Sequence, residues 1–420
     1  MAYTFSTALA GMTGTATRDI FRLLSRPEII SFAGGLPAGD CLPIAQIREI
    51  TAEIFADPKE AARVLQYGQT EGYPGLRELL IPLIKEAGIG GLIDNENILI
   101  LSGGGQGLDL MIKAFVNAGD VVLVENPTFL GFLETLKAYN GVSIGVKADR
   151  DGINLEDLEA KIKKYKPKLL YAIPNFSNPT GKTWPAERRK TVAALAAKYN
   201  FMVVEDDPYG RLRFSGDAVP SIKSFEKDLN GKDLHGPEEH VVYISSFSKT
   251  VSPGLRTGFA VGNAAVIRKL AIGKQGADLH TSNLSQAIIK RYLEKQYFYP
   301  NIEKSLPVYR ERKTAMIGAI QKYMPGEFVH TNPDGGLFIW GEFSVPVNTV
   351  EIFKEAIEQN AAYINGTVFY ADDGEGGKAG VLGANTLRLN YSNESPERIE
   401  KGVKALGEVF KKHITALGKK

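Results

Sequence analysis

Short apolar runs alternate with amphipathic segments through the first 300 residues of the 420-residue chain. The apolar runs have the length of buried strands, and stretches with helical spacing lie between several of them. Strands are predicted in this way at residues 97–101, 121–125, 168–173, 201–205 and 241–244, with 257–261 as a further candidate. Strand–helix alternation favours a mostly parallel sheet with helices on both faces. Such a sheet binds ligands beyond the carboxyl ends of its strands.

The pattern changes beyond about residue 300, where a long helical stretch leads into a second group of elements. Strand-like and helical segments follow at residues 336–340, 347–359, 385–392 and 395–415. We therefore predict an α/β fold with a large domain, residues 51–305, and a smaller α+β C-terminal domain, residues 306–420. Residues 1–50 are predicted to form an N-terminal arm, with a short helix that begins near Thr17, and part of the small domain.

Composition excludes several classes of function. Lys and Arg number 50 against 48 Asp and Glu, and the charges are distributed along the chain, so we expect no nucleic-acid partner. A single cysteine and five histidines without metal-site spacing predict neither a disulfide nor a metal. The chain lacks the features of a signal peptide and of a membrane span, so we predict a soluble, cytoplasmic protein without a membrane partner.

A glycine-rich loop at residues 102–107 joins the first of these strands to an amphipathic helix at 108–116. Its free N–H groups and the positive end of the helix dipole would suit a phosphate. The loop lacks both the lysine of a P-loop and the spacing of the dinucleotide fingerprint. An acid, Glu125, nevertheless follows about 20 residues later, as in dinucleotide-binding folds. A nicotinamide-dependent dehydrogenase is therefore one alternative.

The segment after the strand at 241–244 carries the most distinctive chemistry. It contains Ser246, Ser248, Lys249 and Arg256 around a Pro-Gly turn. A lysine just beyond a buried strand would be partly desolvated, which favours the neutral amine that carbonyl chemistry needs. The hydroxyls and the arginine would suit a phosphate. The alternative interpretation is a solvated surface lysine.

Polar side chains follow two further strands, in the loops at 174–181 and 206–210. Another arginine, Arg388, lies in a late strand with Thr386 and Asn390 on its own face and apolar residues on the other. Such an arginine is either a solvated edge residue or a bidentate clamp for a carboxylate.

Together these loops contain the parts of a pyridoxal phosphate site. The sequence closely resembles fold-type-I pyridoxal-phosphate-dependent aminotransferases, and most of all their 2-aminoadipate, kynurenine and aromatic branch. The resemblance covers nearly the whole chain and rests on residues 31–37, 66–73, 178–181, 205–209, 246–249, 275–281 and 387–389. It implies an enzyme that moves the amino group of an L-amino acid (2-aminoadipate, aromatic or branched) to a 2-oxo acid such as 2-oxoglutarate.

The resemblance also implies roles for residues around the cofactor. Lys249 would form its Schiff base and act as general base, and Asp206 would keep the pyridine nitrogen protonated. The ring oxygen would bind Asn178 and Tyr209, while Phe129 would stack on the ring. The phosphate would be held by Gly104, Gly105, Ser246, Ser248 and Arg256, with Tyr67 reaching it from the second chain of a homodimer.

The substrate is expected to contact four residues on this resemblance. Arg388 would clamp its α-carboxylate, assisted by Asn178 and Gly35. Arg18 matches an arginine that this branch uses near the substrate side chain, which hints at an acidic donor.

Two residues depart from the family's pattern. Gly104 stands where serine is frequent, which puts more weight on backbone groups at the phosphate. Phe129 stands where tyrosine is common, so stacking is kept but a hydroxyl is lost. The nearest alternatives are another pyridoxal phosphate reaction, β-elimination or decarboxylation, and a non-catalytic protein that binds the cofactor.

Overall fold

The structure is a computed structural model that describes residues 3–10, 12, 26–91, 93–226 and 239–417. Its strands are β1 (Ile30–Ser31), β2 (Ile98–Leu101), β3 (Val121–Asn126), β4 (Val142–Asp149), β5 (Gly152–Ile153), β6 (Leu169–Ala172), β7 (Met202–Asp206), β8 (Val241–Ser246), β9 (Gly258–Val261), β10 (Phe328–His330), β11 (Phe338–Phe343), β12 (Ala361–Ala362), β13 (Ile364–Asn365) and β14 (Thr386–Asn390). Its helices are α1 (Thr7–Ala10), α2 (Ile44–Ala56), α3 (Pro58–Leu65), α4 (Pro74–Glu86), α5 (Gly104–Phe115), α6 (Leu130–Ala138), α7 (Leu155–Tyr165), α8 (Ala186–Tyr199), α9 (Ala264–Asp278), α10 (Asn283–Glu294), α11 (Phe298–Tyr323), α12 (Thr349–Glu358) and α13 (Pro396–Leu417).

The large sheet has eight strands in the order β2-β9-β8-β7-β6-β3-β4-β5. The strands β8, β7, β6, β3 and β4 pair in parallel, whereas β9 is antiparallel to both of its neighbours and β5 is antiparallel to β4. The prediction of a mostly parallel sheet is therefore confirmed. The carboxyl ends of β6, β7 and β8 meet at one edge, where the candidate site lies.

Helices cover both faces of this sheet, which explains why its central strands are mostly apolar. In β3, Val122 and Val124 pack into the core that contains α5 and α6, while Leu123 packs into the core of α7 and α8. Successive side chains of a strand point to opposite faces, so a continuous apolar run fills two cores at once. The burial of both faces holds the strand ends of the site at fixed positions.

A smaller antiparallel sheet, in the order β10-β11-β14-β13, forms the second unit. Leu387, Leu389 and Tyr391 are fully buried in one core with α11 and α13. Arg388 points to the other face, as predicted from the alternation, and it is also buried. Its strand β14 lies between β11 and β13, so the interpretation as a solvated edge residue is wrong.

The structure corrects one boundary that matters for the site. The glycine-rich segment is not a loop that ends at residue 107, because α5 begins at Gly104. Gly103, with φ of 84°, makes the turn that a residue with a side chain rarely adopts. The first N–H groups of α5 are therefore those of the glycines themselves.

The structure does not test the predicted N-terminal helix, the position of Arg18 or the domain boundaries. The helix predicted to begin near Thr17 and the residue Arg18 lie outside the described residues. The domain boundaries after residues 50 and 305 stay predictions. Within the described ranges, no helix is both long and apolar enough to cross a bilayer, and no three side chains of the metal-binding types group together.

Gly258→Ala tests how tightly β9 approaches the turn of the glycine segment. A Cβ at Gly258 would lie 2.7 Å from the carbonyl oxygen of Ser245 and 3.1 Å from the backbone nitrogen of Gly104. Because these neighbours are backbone atoms, we expect a loss of about 1–3 kcal/mol, measured as a lower urea midpoint. The matched control is Gly318→Ala on an exposed turn of α11, where a Cβ meets nothing within 4 Å. It should stabilise by about 0.5–1 kcal/mol, and equal effects of the two changes would contradict the close approach.

Candidate active site

Lys249 lies in the turn that follows β8, and its ammonium group donates a hydrogen bond to the carbonyl oxygen of Gly35 at 2.6 Å. Burial lowers the pKa of Lys249 to about 8, helped by the positive charges of Arg388 and Arg256. The interpretation as an ordinary solvated lysine is therefore wrong. At weakly alkaline pH a large fraction of this amine is neutral, as nucleophilic and proton-transfer chemistry requires.

Asp206 ends β7, the strand beside β8, and its side chain is buried. Its Oδ2 accepts a hydrogen bond from the hydroxyl of Tyr171 at 2.8 Å. Burial raises the pKa of Asp206 to about 7, while the bond from Tyr171 acts in the opposite direction. Within the described ranges no cation lies at ion-pair distance from this carboxyl group. A buried acid without a cationic partner is suited to a cationic ligand atom.

The start of α5, the turn after β8 and Arg256 form a cradle for an anion. Arg256 donates to the carbonyl oxygen of Ser102 at 3.2 Å, and a side chain on Gly103 would collide with its guanidinium. A Cβ on Gly104 would lie 3.8 Å from the Cβ of Ser246 and 4.0 Å from Oδ1 of Asp206. The first residue of α5 therefore lies beside Ser246 and Asp206. Ser246 also bonds the hydroxyl of Ser248 at 2.8 Å.

A charge network around the buried Lys274 supports this cradle. Lys274, whose side chain is fully buried, donates to both carboxylate oxygens of Asp278 and to the side-chain oxygen of Gln106. Asp278 accepts hydrogen bonds from the Ser102 hydroxyl and from Gln106, each at 2.7 Å. These contacts fix the position of Ser102, the residue that precedes the turn at Gly103. Residues 275–281 are one of the segments on which the family resemblance rests, but nothing in the sequence indicated that Asp278 contacts Ser102.

Arg388 is a buried guanidinium without a carboxylate partner in the described part of the chain. It donates to Asn178 Oδ1 at 2.7 Å and to the carbonyl oxygen of Ala33 at 2.6 Å, while its Nε has no partner. Its Cζ lies 4.2 Å from the ring centroid of Phe338 and 5.1 Å from that of Phe369. Burial lowers the pKa of Arg388 to about 10. A carboxylate ligand would satisfy this group.

Tyr209 and Asn178 lie beside Arg388. The ring of Tyr209 packs edge-on against Phe338, with centroids 5.7 Å apart. Burial raises the pKa of Tyr209 above its ordinary value, and the charge of Arg388 opposes that rise. The hydroxyl of Tyr209 therefore stays protonated at neutral pH and is available as a hydrogen-bond donor.

The remaining predicted residues are less enclosed. Gly35 contacts Lys249 through its carbonyl oxygen. Phe129 is half-buried, and its ring occupies the space that a side chain on Gly131 would need. Tyr67 has 78% of its surface exposed and makes an edge contact with His280. Arg18 lies outside the described residues.

The family of the chain follows from comparison with known proteins. The model of the family described as aminotransferase class I and II matches residues 28–406. The chain belongs to this family. The predicted fold-type-I architecture, the aminotransferase activity and the dependence on pyridoxal phosphate are confirmed by this match and by the relatives below. The alternative of a nicotinamide-dependent dehydrogenase is wrong.

Three relatives show which branch the aminotransferase is similar to. It is 36% identical to aromatic-amino-acid aminotransferase 1 of Thermococcus litoralis, over 98% of this chain and 94% of that protein. It is also 36% identical to the 2-aminoadipate transaminase of Thermus thermophilus, over 97% and 96% of the two chains. The crystal structure of Pyrococcus horikoshii kynurenine aminotransferase in complex with PMP matches with a TM-score of 0.88 and 37% identity, covering 97% of each chain. The predicted branch is confirmed.

The titration of Lys249 can be measured on the cofactor-free aminotransferase. Competitive labelling of amines, read by mass spectrometry, should give Lys249 a midpoint near pH 8, because burial and two arginines disfavour its charged form. Arg256→Gln removes one of the like charges, so this midpoint should rise.

An internal control for this titration is Lys147, whose pKa is raised by its hydrogen bond to Glu375. It should be labelled in the same sample only at clearly higher pH. A Lys249 midpoint as high as that of Lys147 would refute the perturbed amine.

Proposed function

We propose that this aminotransferase binds pyridoxal phosphate between Lys249 and Asp206 and moves the amino group of an L-amino acid to a 2-oxo acid. The observation that carries the proposal is the pairing of a perturbed amine with a buried acid that lacks a cation, at the carboxyl ends of the adjacent parallel strands β8 and β7 and beside an anion cradle. When bound, the cofactor supplies an electrophilic carbonyl and an electron sink for the substrate's α-carbon.

The residues of the site fit this cofactor. Asp206 would hold the protonated ring nitrogen, because the pair would give a buried carboxylate the cation that it lacks. Asn178 and Tyr209 would bind the ring oxygen, and Phe129 would cover one face of the ring. The phosphate would be bound by the N–H groups of Gly104 and Gly105 at the start of α5, the hydroxyls of Ser246 and Ser248, and Arg256.

Lys249 is the group that we propose to move the proton. With a pKa near 8, its amine is substantially neutral at weakly alkaline pH and can accept the substrate's α-proton at Nζ and later return it. The hydrogen bond to Gly35 limits where Nζ can lie. A lysine with an ordinary pKa would be almost wholly protonated at that pH and could not accept a proton.

Arg388 would bind the α-carboxylate of the substrate, assisted by Asn178 and Gly35. Its guanidinium is held by Asn178 and Ala33, so it would not need to be ordered when the substrate binds. Arg388 therefore fixes the end of the substrate that is common to all amino acids. Discrimination between donors must come from other residues.

We propose 2-aminoadipate, aromatic and branched amino acids as donors and 2-oxoglutarate as acceptor, in the cytoplasm. The proposal is supported by the similarity to relatives named for aromatic amino acids, 2-aminoadipate and kynurenine. The location is supported by the single cysteine. On the resemblance to this branch, Arg18 would meet an acidic side chain of the donor.

The test is product analysis with single amino donors and 2-oxoglutarate. The purified enzyme should form one 2-oxo acid for each glutamate, whereas ammonia or carbon dioxide would indicate β-elimination or decarboxylation. Lys249→Ala should lower turnover by at least about 10⁴-fold, because both the amine and its proton transfer are lost. Arg388→Ala should lower kcat/KM for every donor by roughly 100-fold, because the clamp holds their common carboxylate.

Two further variants serve as controls in this test. Lys269→Ala removes an exposed lysine of α9 and should change the rates less than about twofold. Arg388→Lys keeps the charge but loses the fork, so it should lie between wild type and Arg388→Ala. Near-normal turnover of Lys249→Ala would refute the assignment.

We also propose a homodimer in which Tyr67 of one chain completes the site of the other. The proposal is supported by the exposure of Tyr67 and of three large apolar side chains that precede it in the sequence, Ile44, Phe55 and Leu65. Large apolar side chains exposed in one stretch of the chain are a feature of protein interfaces.

Hybrid dimers test the sharing of sites. Chains with Lys249→Ala and chains with Tyr67→Ala are each expected to be impaired as pure dimers. In the hybrid, a Tyr67 that reaches across would give one site with both changes and one site with neither. Each hybrid dimer should therefore have about half of the wild-type activity, and an equal mixture, in which about half of the dimers are hybrid, about a quarter. No gain on mixing, with subunit exchange verified by native mass spectrometry, would mean that Tyr67 acts within its own chain.

A further inference from the structure

Tyr171 is a fully buried tyrosine to which the predicted site gives no role. It lies in β6, and its ring stacks on Phe132 with a centroid distance of 3.9 Å and an angle of 3° between the planes. This packing fixes the ring and hence the position of its hydroxyl.

The hydroxyl of Tyr171 reaches the site across one strand pairing. Tyr171 is opposite Val204 in the parallel pairing of β6 and β7, and Asp206 lies two residues further along β7 on the same face. The hydroxyl donates to Oδ2 of Asp206 at 2.8 Å. Burial and the nearby Asp206 carboxyl raise the pKa of Tyr171 well above its ordinary value, so the phenol remains a donor throughout the working pH range.

The type of donor matters for the charge of Asp206. A neutral hydroxyl stabilises an ionised carboxylate by hydrogen bonding but does not cancel its charge. A lysine or arginine in this position would form an ion pair and leave Asp206 with little affinity for a cationic ligand atom. Among the described residues, Tyr171 is the donor to this carboxyl group, and it leaves Oδ1 directed toward the start of α5.

We infer that Tyr171 is a positioning residue that holds Asp206 as an oriented, ionised carboxylate for the ring nitrogen of the cofactor. The inference rests on the proposed function of Asp206. It assigns the effect to the hydroxyl, since phenylalanine at this position would keep the stacking on Phe132.

The residue after Asp206 offers a matched control, because Asp207 is also bonded to a buried tyrosine. Tyr243, in β8, donates its hydroxyl to Oδ2 of Asp207 at 2.9 Å, and both side chains are buried. Asp206 ends β7 and Asp207 follows it, and the two carboxyl groups are bonded to tyrosines of different neighbouring strands, β6 and β8. Tyr243→Phe therefore removes an equivalent buried bond without touching Asp206.

The experiment compares two ligands of the cofactor-free protein, pyridoxamine phosphate and its 1-deaza analogue, in which a C–H group replaces the ring nitrogen. The ratio of their dissociation constants reports the interaction of Asp206 with that nitrogen. Wild type should prefer pyridoxamine phosphate, and Asp206→Asn should bring the ratio close to one. Tyr171→Phe should lower the ratio by about tenfold, whereas Tyr243→Phe should leave it unchanged within about twofold.

The pH dependence of the ratio gives a second readout. The preference requires ionised Asp206, so it is present above the pKa of that carboxyl and is lost as the pH falls through it. Without the Tyr171 hydroxyl the pKa of Asp206 rises, so Tyr171→Phe should lose the preference at a higher pH than wild type. If the role of Tyr171 were purely structural, Tyr171→Phe would weaken the binding of both ligands equally. The ratio of dissociation constants and the midpoint of its pH dependence would then be unchanged.

The outcomes separate this inference from the proposed function. A wild-type ratio of one would refute the role of Asp206, and with it the inference. A wild-type preference that Asp206→Asn removes but Tyr171→Phe keeps would overturn the inference alone. If Tyr171→Phe does not fold, 3-fluorotyrosine at position 171 provides the test. Its more acidic hydroxyl is a stronger hydrogen-bond donor to Asp206, so the pH at which the preference is half lost should fall. An unmoved midpoint would overturn the inference.

Discussion

The buried guanidinium of Arg388 joins the three parts of the chain that form the site. It lies on β14 of the small sheet, bonds Asn178 beyond the large sheet, and bonds the carbonyl oxygens of Ala33 and Gly34 in the N-terminal segment. A charge taken out of water is unfavourable unless it is paired, and here carbonyl oxygens and two aromatic faces offset only part of that penalty. An incoming carboxylate would supply the rest. The interaction that organises the site is thus the one that a substrate would complete.

The same charge acts on Lys249. Burial is the main cause of the lowered pKa of the lysine, and the charges of Arg388 and Arg256 lower it further, although neither shares a hydrogen bond with it. On the proposed function each arginine would bind an anion, and both also disfavour the protonated form of the amine. Binding of a phosphate or carboxylate would weaken this repulsion, so the lysine would accept a proton more readily with its ligands in place than without them. On the proposed function, charge balance alone would couple ligand binding to proton transfer.

Much of this arrangement could be predicted from sequence because it depends on local pattern. Apolar runs identify the strands, and alternation around Arg388 identifies its face. Burial of that face could not be predicted, since it depends on β14 lying inside its sheet. Contacts between strands were also missed. Tyr171 reads as one more residue of an apolar strand, and its partner Asp206 is 35 positions away in sequence. Asp278 and Ser102 are 176 positions apart. Pairing of strands and helices brings these groups together, and a single sequence does not record it.

The consecutive acids Asp206 and Asp207, at the end of β7, differ in how many of their carboxylate oxygens are hydrogen-bonded within the fold. Both are buried, and each accepts a hydrogen bond from the hydroxyl of a tyrosine on a neighbouring strand, Tyr171 on β6 or Tyr243 on β8. Asp207 also accepts the backbone N–H of Gly210, so both of its oxygens are bonded within the fold. Asp206 has one oxygen bonded and the other beside the start of α5. Because a carboxylate can accept several hydrogen bonds, this difference in remaining capacity is what leaves Asp206, and not its neighbour, free to bind a ligand.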